Sequence, residues 1–502
     1  MLSDMAEAQA FLGIDCGTQG TKALVVNAEG QALGRGYAKH RIVERETGAR
    51  EQEPAWWVEA LRASVKQALA AAGAVRIEGI GVSGQQHGLV VLDEQRQVIR
   101  PAKLWNDTET APQNAALVKR FGGPAEWLRR FGIVPLTGYT ISKLLWLKEK
   151  EPENFARVRH ILLPHNYLNF WLTGRLTAEA GDASGTAFFD IRTRMWIREV
   201  LDAVDGGTGQ LFSALPELVG PEDGAGTLCA DAAAALGLTE GCLISSGGGD
   251  NMMAAIGTGN VREGVVTLSL GTSSTVYAYS DRPVADDAGC VAPFCSSSGG
   301  WLPLVCTMNA TNVVTDTVRL VGRSVTDIDA ALEATEPGAG GLTFLPFLNG
   351  ERTPDLPQAQ GSLVGISATN FTADNLIRAA VEGASFGVLN GLDRILAGRT
   401  AQVVQVTGGG ARSAGWRQLL ADASGAAIHV PGEEETGALG AAIQARVAAS
   451  RAAGAPKSFA EIAAACTRVD PAGTAKPRAA FREGYQRARA LYNERLKALY
   501  GA

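Results

Sequence analysis

The same short pattern occurs twice in this chain, far apart. Gly13-Ile14-Asp15-Cys16-Gly17-Thr18-Gln19-Gly20-Thr21-Lys22 stands near the start, and Leu268-Ser269-Leu270-Gly271-Thr272-Ser273-Ser274-Thr275-Val276 stands past the middle. In both, Gly-Thr follows a β-rich run and a second Thr comes three residues on. Gly17 therefore matches Gly271, Thr18 matches Thr272 and Thr21 matches Thr275 at one constant offset. A chain of 502 residues exceeds one ordinary core, and the repeat suggests how it divides. The expectation is two similarly built lobes, one from each half. A second pair of features supports this: Gly247-Gly248-Gly249 follows Leu243-Ile244-Ser245-Ser246, and Gly408-Gly409-Gly410 follows the strand-like run ending at Thr407. Each run reads as opening a helix. The boundary is expected near 257–264.

Strand and helix patterns alternate throughout, which predicts an α/β chain. Residues 10–15 and 21–28 read as two strands joined by Gly17–Gly20, with a third over 31–37. Residues 54–72 read as a helix, because Pro54 suits a first turn and Trp57, Leu61, Val65, Ala68 and Ala72 share one face. Gly73 is a natural stop. Residues 77–84 read as a buried strand.

The net charge of −6, without a Lys/Arg run, argues against nucleic acid or an acidic membrane as partner. No window offers the ~18 consecutive apolar residues of a membrane span. Seven dispersed cysteines without a C-x-x-C pair suit a reducing compartment. The first residues place two acids, Asp4 and Glu7, ahead of any apolar stretch, unlike a secretory signal. The expected compartment is therefore the cytoplasm.

A turn rich in Gly, Thr and Ser presents backbone N–H groups and hydroxyls at short range, as phosphate oxygens require. One such turn alone reads better as an ordinary hairpin. Two, at matching places in two lobes, would grip a polyphosphate from both sides through Gly17, Thr18, Thr21, Gly271, Thr272 and Ser273. Asp15 precedes the first turn, and a carboxylate there is disfavoured beside phosphate unless a cation intervenes. The expectation is that Asp15 holds Mg2+ through water; the alternative is an Asp bonded to its own turn. Gly409 and Gly410 would offer bare backbone to an adenine or its ribose, with Arg412 read as a surface charge. The small side chains of 436–449 allow close approach of another helix or of a purine, tight packing being the commoner cause. Asp250, after three glycines at a strand end, suits a base that accepts a hydroxyl proton. It also suits a helix cap, and the two roles are compatible. A polyol needs hydrogen-bonding side chains, which Gln86 and His87 supply in one cluster and Trp105 and Asp107 in another. Trp105 reads equally as a sugar-stacking ring or a buried one.

In this order, these residues resemble the FGGY carbohydrate kinases, and within them the members acting on xylulose most closely. The resemblance runs from Gly13 to about 450 and includes 13–22, 83–88, 104–107, 140–152, 162–168, 246–251, 268–274, 345–354, 376–383 and 408–422. It implies a two-lobed actin-like fold of ribonuclease-H type with a cleft between the lobes. Residues 10–258 would form the sugar-binding N-terminal lobe, 264–450 the ATP-binding C-terminal lobe and 451–502 a helical extension. It further implies that Asp250 activates the terminal hydroxyl of D-xylulose, that His87 and Asn251 contact the sugar with Gln86 beside them, and that ATP and Mg2+ are required. A homodimer is the expectation by family analogy. Two positions depart from the family pattern: Gln86 stands where Met is usual, and Asn166 where an acid is common. The other readings are a kinase of the same family for L-xylulose, ribulose, gluconate or another polyol, an actin-like chaperone ATPase, and a catalytically silent sugar sensor. The polyol cluster and the absence of a peptide-binding module disfavour the chaperone. The sensor should have lost Asp15 or Asp250, and both are present.

Overall fold

The computed structural model describes residues 8–286 and 289–501, so most of the N-terminal stretch read above for a signal lies outside the described residues. Two seven-stranded sheets organise the chain. At the centre of the first is β1 (Ala8–Cys16), followed outward by antiparallel β2 (Gly20–Asn27) and β3 (Ala32–Lys39). On the other side of β1, Val75–Gly84 and then Leu243–Ser245 run parallel to it, and Gly224–Thr227 closes that edge. The second sheet repeats the plan. Val265–Leu270 pairs antiparallel with Ser274–Ala278, which pairs antiparallel with Gly299–Thr307. On its other side, Val403–Thr407 and Ala427–Pro431 run parallel.

The shared topology also fixes which residues correspond. Cys16 faces Thr21 across the first hairpin, whereas Leu270 faces Ser274 across the second. The second turn is one residue shorter, so Ser274 and not Thr275 is the counterpart of Thr21. The two glycine runs are not equivalent either. The run at 408–410 follows the strand next to the centre of its sheet, whose counterpart is Val75–Gly84. The run at 247–249 follows the strand after that.

The helix Pro54–Ala72 (α1) has the predicted bounds and ends at Gly73, whose φ of 76° favours glycine. It buries Trp57, Leu61, Val65 and Ala68 against the first sheet, while Ala72 stays partly exposed. The helix Thr436–Ala452 lies against β1, Val75–Gly84 and the helix Asp250–Gly257. Its small residues let backbone meet backbone: a Cβ on Gly13 would come within 1.8 Å of the Ala438 carbonyl oxygen, and one on Gly440 within 1.8 Å of the Met253 oxygen. Tight packing therefore accounts for its composition. Gln444 fastens it further, since Oε1 accepts from Ser245 Oγ and Gly247 N, both at 2.8 Å, and Nε2 donates to the Gly247 oxygen at 3.0 Å.

Beyond residue 450 the chain is not wholly helical. Between the helices Phe459–Cys466 and Ala479–Tyr500, Val469–Ala475 pairs with Ala427–Pro431 and becomes an edge strand of the second sheet. Its Asp-Pro and Ala-Gly steps hide it from a sequence reading. Among the described residues, no helix is long and apolar enough to cross a membrane.

Candidate active site

Asp15 and Asp250 come close at the carboxyl ends of the parallel strands of the first sheet, where open α/β sheets hold ligands. Asp15 is the next-to-last residue of β1, with one carboxylate oxygen accepting from Ser83 Oγ at 2.6 Å. Gly437 lies against the same carboxylate, which a Cβ there would approach to 3.0 Å. Asp250 is the first residue of the helix Asp250–Gly257, and its Oδ1 accepts from Asn251 N at 2.8 Å. Burial raises the Asp250 carboxyl to about 7, and the negative charge of Asp15 adds to the effect. Burial thus outweighs the hydrogen bond from Asn251, which acts the other way.

Around Asp250, Asn251 and Gln86 form one hydrogen-bonded unit. Asn251 Nδ2 donates to Gln86 Oε1 at 2.8 Å, which leaves Gln86 Nε2 buried without a partner among the described residues. His87 adopts φ 63°, the left-handed region that costs a residue with a Cβ of order 1 kcal/mol or more. Its ring lies 4.6 Å from that of Tyr139 and 5.6 Å from that of Phe294. Burial, reinforced by the positive charges of Lys143 and Arg352, lowers its imidazole to about 3. The His87 ring is therefore neutral near pH 7, and its buried Nδ1 has no partner among the described residues.

The other expected residues divide. Trp105 keeps 42% of its surface exposed, and its indole N–H donates to Thr18 Oγ1 at 2.9 Å, joining its own loop to the first hairpin. Asp107 is fully buried; its Oδ2 accepts from Lys103 Nζ at 3.0 Å and from Arg50 N at 2.9 Å, in a cluster with Glu51 and Glu109. Gly17 is half-buried, a Cβ placed there meeting only the Gly20 oxygen at an ordinary 3.7 Å, and Thr272 and Ser273 are exposed at the tip of the second hairpin. The Gly271 carbonyl is held by Thr311 N and Oγ1 at 3.0 and 2.8 Å. Gly409 is exposed with nothing within 4 Å of a Cβ, whereas Gly410 is buried against Leu270. Thr21 is fully buried, with its hydroxyl 2.8 Å from His40 Nε2. Strand alternation gives Asp15's face to Lys22 instead, which pairs with Glu435 at 2.5 Å. Burial would lower the Lys22 ammonium, but Glu435 outweighs it. Asn166 accepts from Leu163 N at 3.0 Å and caps its helix, a role that needs no charge.

Sequence reading did not single out Lys22, Tyr139, Lys143, Phe294 or Arg352 for the site. Lys143 and Arg352 lie inside stretches noted for the family resemblance, but nothing local marks either side chain as reaching His87.

Two sheets of one topology, each with a Gly-Thr hairpin leaving its central strand, and two interacting carboxylates at the end of the first define a two-lobed actin-like ATPase fold. The model of the FGGY family of carbohydrate kinases matches with its N-terminal domain at 10–257 and its C-terminal domain at 266–449. The chain belongs to this family, and is a carbohydrate kinase. It is 45% identical over 443 residues to a xylulose kinase of Haemophilus influenzae, covering 87% of this chain and 90% of that one. To a xylulose kinase of Streptomyces rubiginosus it is 42% identical, with 88% of each chain covered. Among solved structures, a xylulose kinase from Bifidobacterium adolescentis superposes with a TM-score of 0.82 at 33% identity, over 96% of this chain and 99% of that one.

Proposed function

We propose that this chain transfers the γ-phosphoryl group of ATP to the terminal hydroxyl of D-xylulose, giving D-xylulose 5-phosphate and ADP in the cytoplasm. The observation that carries the reading is the Gln86–Asn251–Asp250 unit, with a carboxyl raised to about 7 beside a buried amide N–H awaiting an acceptor. The substrate in particular is supported by relatives named for xylulose at 42–45% identity.

Asp250 takes the proton as the sugar oxygen bonds to phosphorus and the bond to the β–γ bridging oxygen breaks, releasing ADP. Gln86 Nε2, the His87 ring and Asn251 orient the hydroxyls, and the exposed Trp105 ring offers a face to the sugar. Gly17 and Thr18 face Gly271, Thr272 and Ser273 across the phosphates, and Gly409 leaves room for the nucleoside. Asp15 fits Mg2+: two close carboxylates repel one another, and among the described residues no cluster of three ligating side chains forms an all-protein cage. Mg2+ held by one or two carboxylates, waters and phosphates suits such a place and would neutralise charge on the phosphates.

The test is ADP release with ATP and Mg2+ against D-xylulose, L-xylulose, D-ribulose, L-ribulose, gluconate and glycerol. D-Xylulose should dominate kcat/KM. Dominance of another member would move the specificity to the Gln86 edge of the pocket, and silence from folded protein would overturn the kinase reading for this site.

A further inference from the structure

We propose that Lys143 is a positioning residue for the acceptor-sugar pocket, one buried amine that holds its three loops in register. This rests on the sugar-side reading of His87. Lys143 Nζ donates to the His87 carbonyl at 2.5 Å and to the Gly138 carbonyl at 2.6 Å. Thr140 Oγ1 donates to the same His87 oxygen at 3.2 Å. Gly138, at φ 94°, packs against the Trp105 carbonyl so closely that a Cβ would come within 2.0 Å of its oxygen. Through two hydrogen bonds and one backbone contact, a single side chain thus sets the loops carrying His87, Tyr139 and Trp105.

Two further observations point to positioning in place of plain core filling. Lys143 is fully buried, yet makes no ion pair among the described residues. A buried amine without an adjacent carboxylate is costly, and here its hydrogen bonds go to the backbone of pocket loops. The residue it holds is also the one that needs holding. His87 sits in a backbone region that a residue with a Cβ leaves when nothing fixes it. A fixed carbonyl fixes the peptide plane and, through it, the direction of the imidazole against Tyr139 and Phe294.

The experiment compares Lys143→Met, His87→Ala and the double variant, using the sugar that dominates the panel and calorimetric titration with ATP. Lys143→Met should raise KM for the sugar at least tenfold while ATP affinity stays within twofold. In the His87→Ala background it should add less than twofold, because the ring it positions is gone. An unchanged sugar KM, a parallel loss of ATP affinity or full additivity would overturn the proposal. If His87→Ala alone leaves the sugar KM unchanged, the pocket reading fails first and this inference falls with it. Should Lys143→Met not fold, Thr140→Val decides. A rise of about threefold in sugar KM supports the clamp on the His87 carbonyl, and no change overturns it.

Discussion

At the residue scale, Asp250 holds conflicting demands. As a base it should ionise near the working pH, and its surroundings delay ionisation to about 7. Asp250→Asn should lower kcat by about 10³-fold, the range expected for loss of a general base, and leave ATP binding intact by calorimetry. In the parent protein kcat/KM should fall as pH drops below about 7. A bound cation, by offsetting Asp15, would place the apparent midpoint at or under that value. The same carboxyl should affect stability in the opposite sense. Its folded pKa is raised above the ordinary 3.8, so folding favours the protonated form. That contribution is fully present below pH 3.8 and is lost as pH rises through about 7. Asp250→Asn, which cannot ionise, should melt higher than the parent at pH 8 in ligand-free protein, with the difference shrinking toward pH 4. Equal melting temperatures at pH 8 would contradict the buried, charge-crowded setting.

At the element scale, two glycines test packing against ligand space. Gly440 lies where the helix Thr436–Ala452 touches the helix Asp250–Gly257, and a Cβ would meet the Met253 oxygen at 1.8 Å. Helix propensity favours Ala over Gly by about 1 kcal/mol, but backbone cannot yield to such an overlap. Gly440→Ala should therefore destabilise by about 2 kcal/mol or more in urea. Gly409, in the second lobe, has open space and no positive φ. Gly409→Val should shift stability by less than about 0.5 kcal/mol, as surface changes do, and raise KM for ATP several-fold. A large stability loss at Gly409, or none at Gly440, would reverse these assignments.

At the scale of the molecule, the lobes meet along the helix Thr436–Ala452 and through ion pairs at its approach. Lys22 pairs with Glu435 and Arg35 with Glu433, both at 2.5 Å. These pairs are partly exposed, and each adds no more than about 1 kcal/mol. They can therefore re-form during a hinge motion. Sugar together with a non-hydrolysable ATP analogue should draw the lobes inward and shield the γ-phosphate from water. Small-angle scattering should register a smaller radius of gyration with both ligands than with either alone. An unchanged radius would mean that the cleft reacts without closing.

The local sequence determined the pieces whose physics is local. The Gly-Thr hairpins, the helix Pro54–Ala72 with its stop at Gly73, and Asp250 displayed after a glycine run follow from turn chemistry, periodicity and capping. Gln86 and His87 were legible because polar residues set between glycines suit a polyol better than a core, whereas Asn251 was marked only by the family resemblance. Tertiary structure alone decided what depends on register and burial. One residue fewer in the second turn makes Ser274, not Thr275, the partner of Thr21 in the repeat. Strand alternation buries Thr21 and puts Lys22 on the face of Asp15. Asp107 falls into an ion cluster with Lys103, and Val469–Ala475 joins a sheet whose neighbouring strand lies some forty residues earlier in the chain. Lys143 reads in sequence as one more cation on a helix. Only folding removes it from water and aims it at the carbonyl of His87, because burial and direction are properties of neighbours that the chain brings together from far apart.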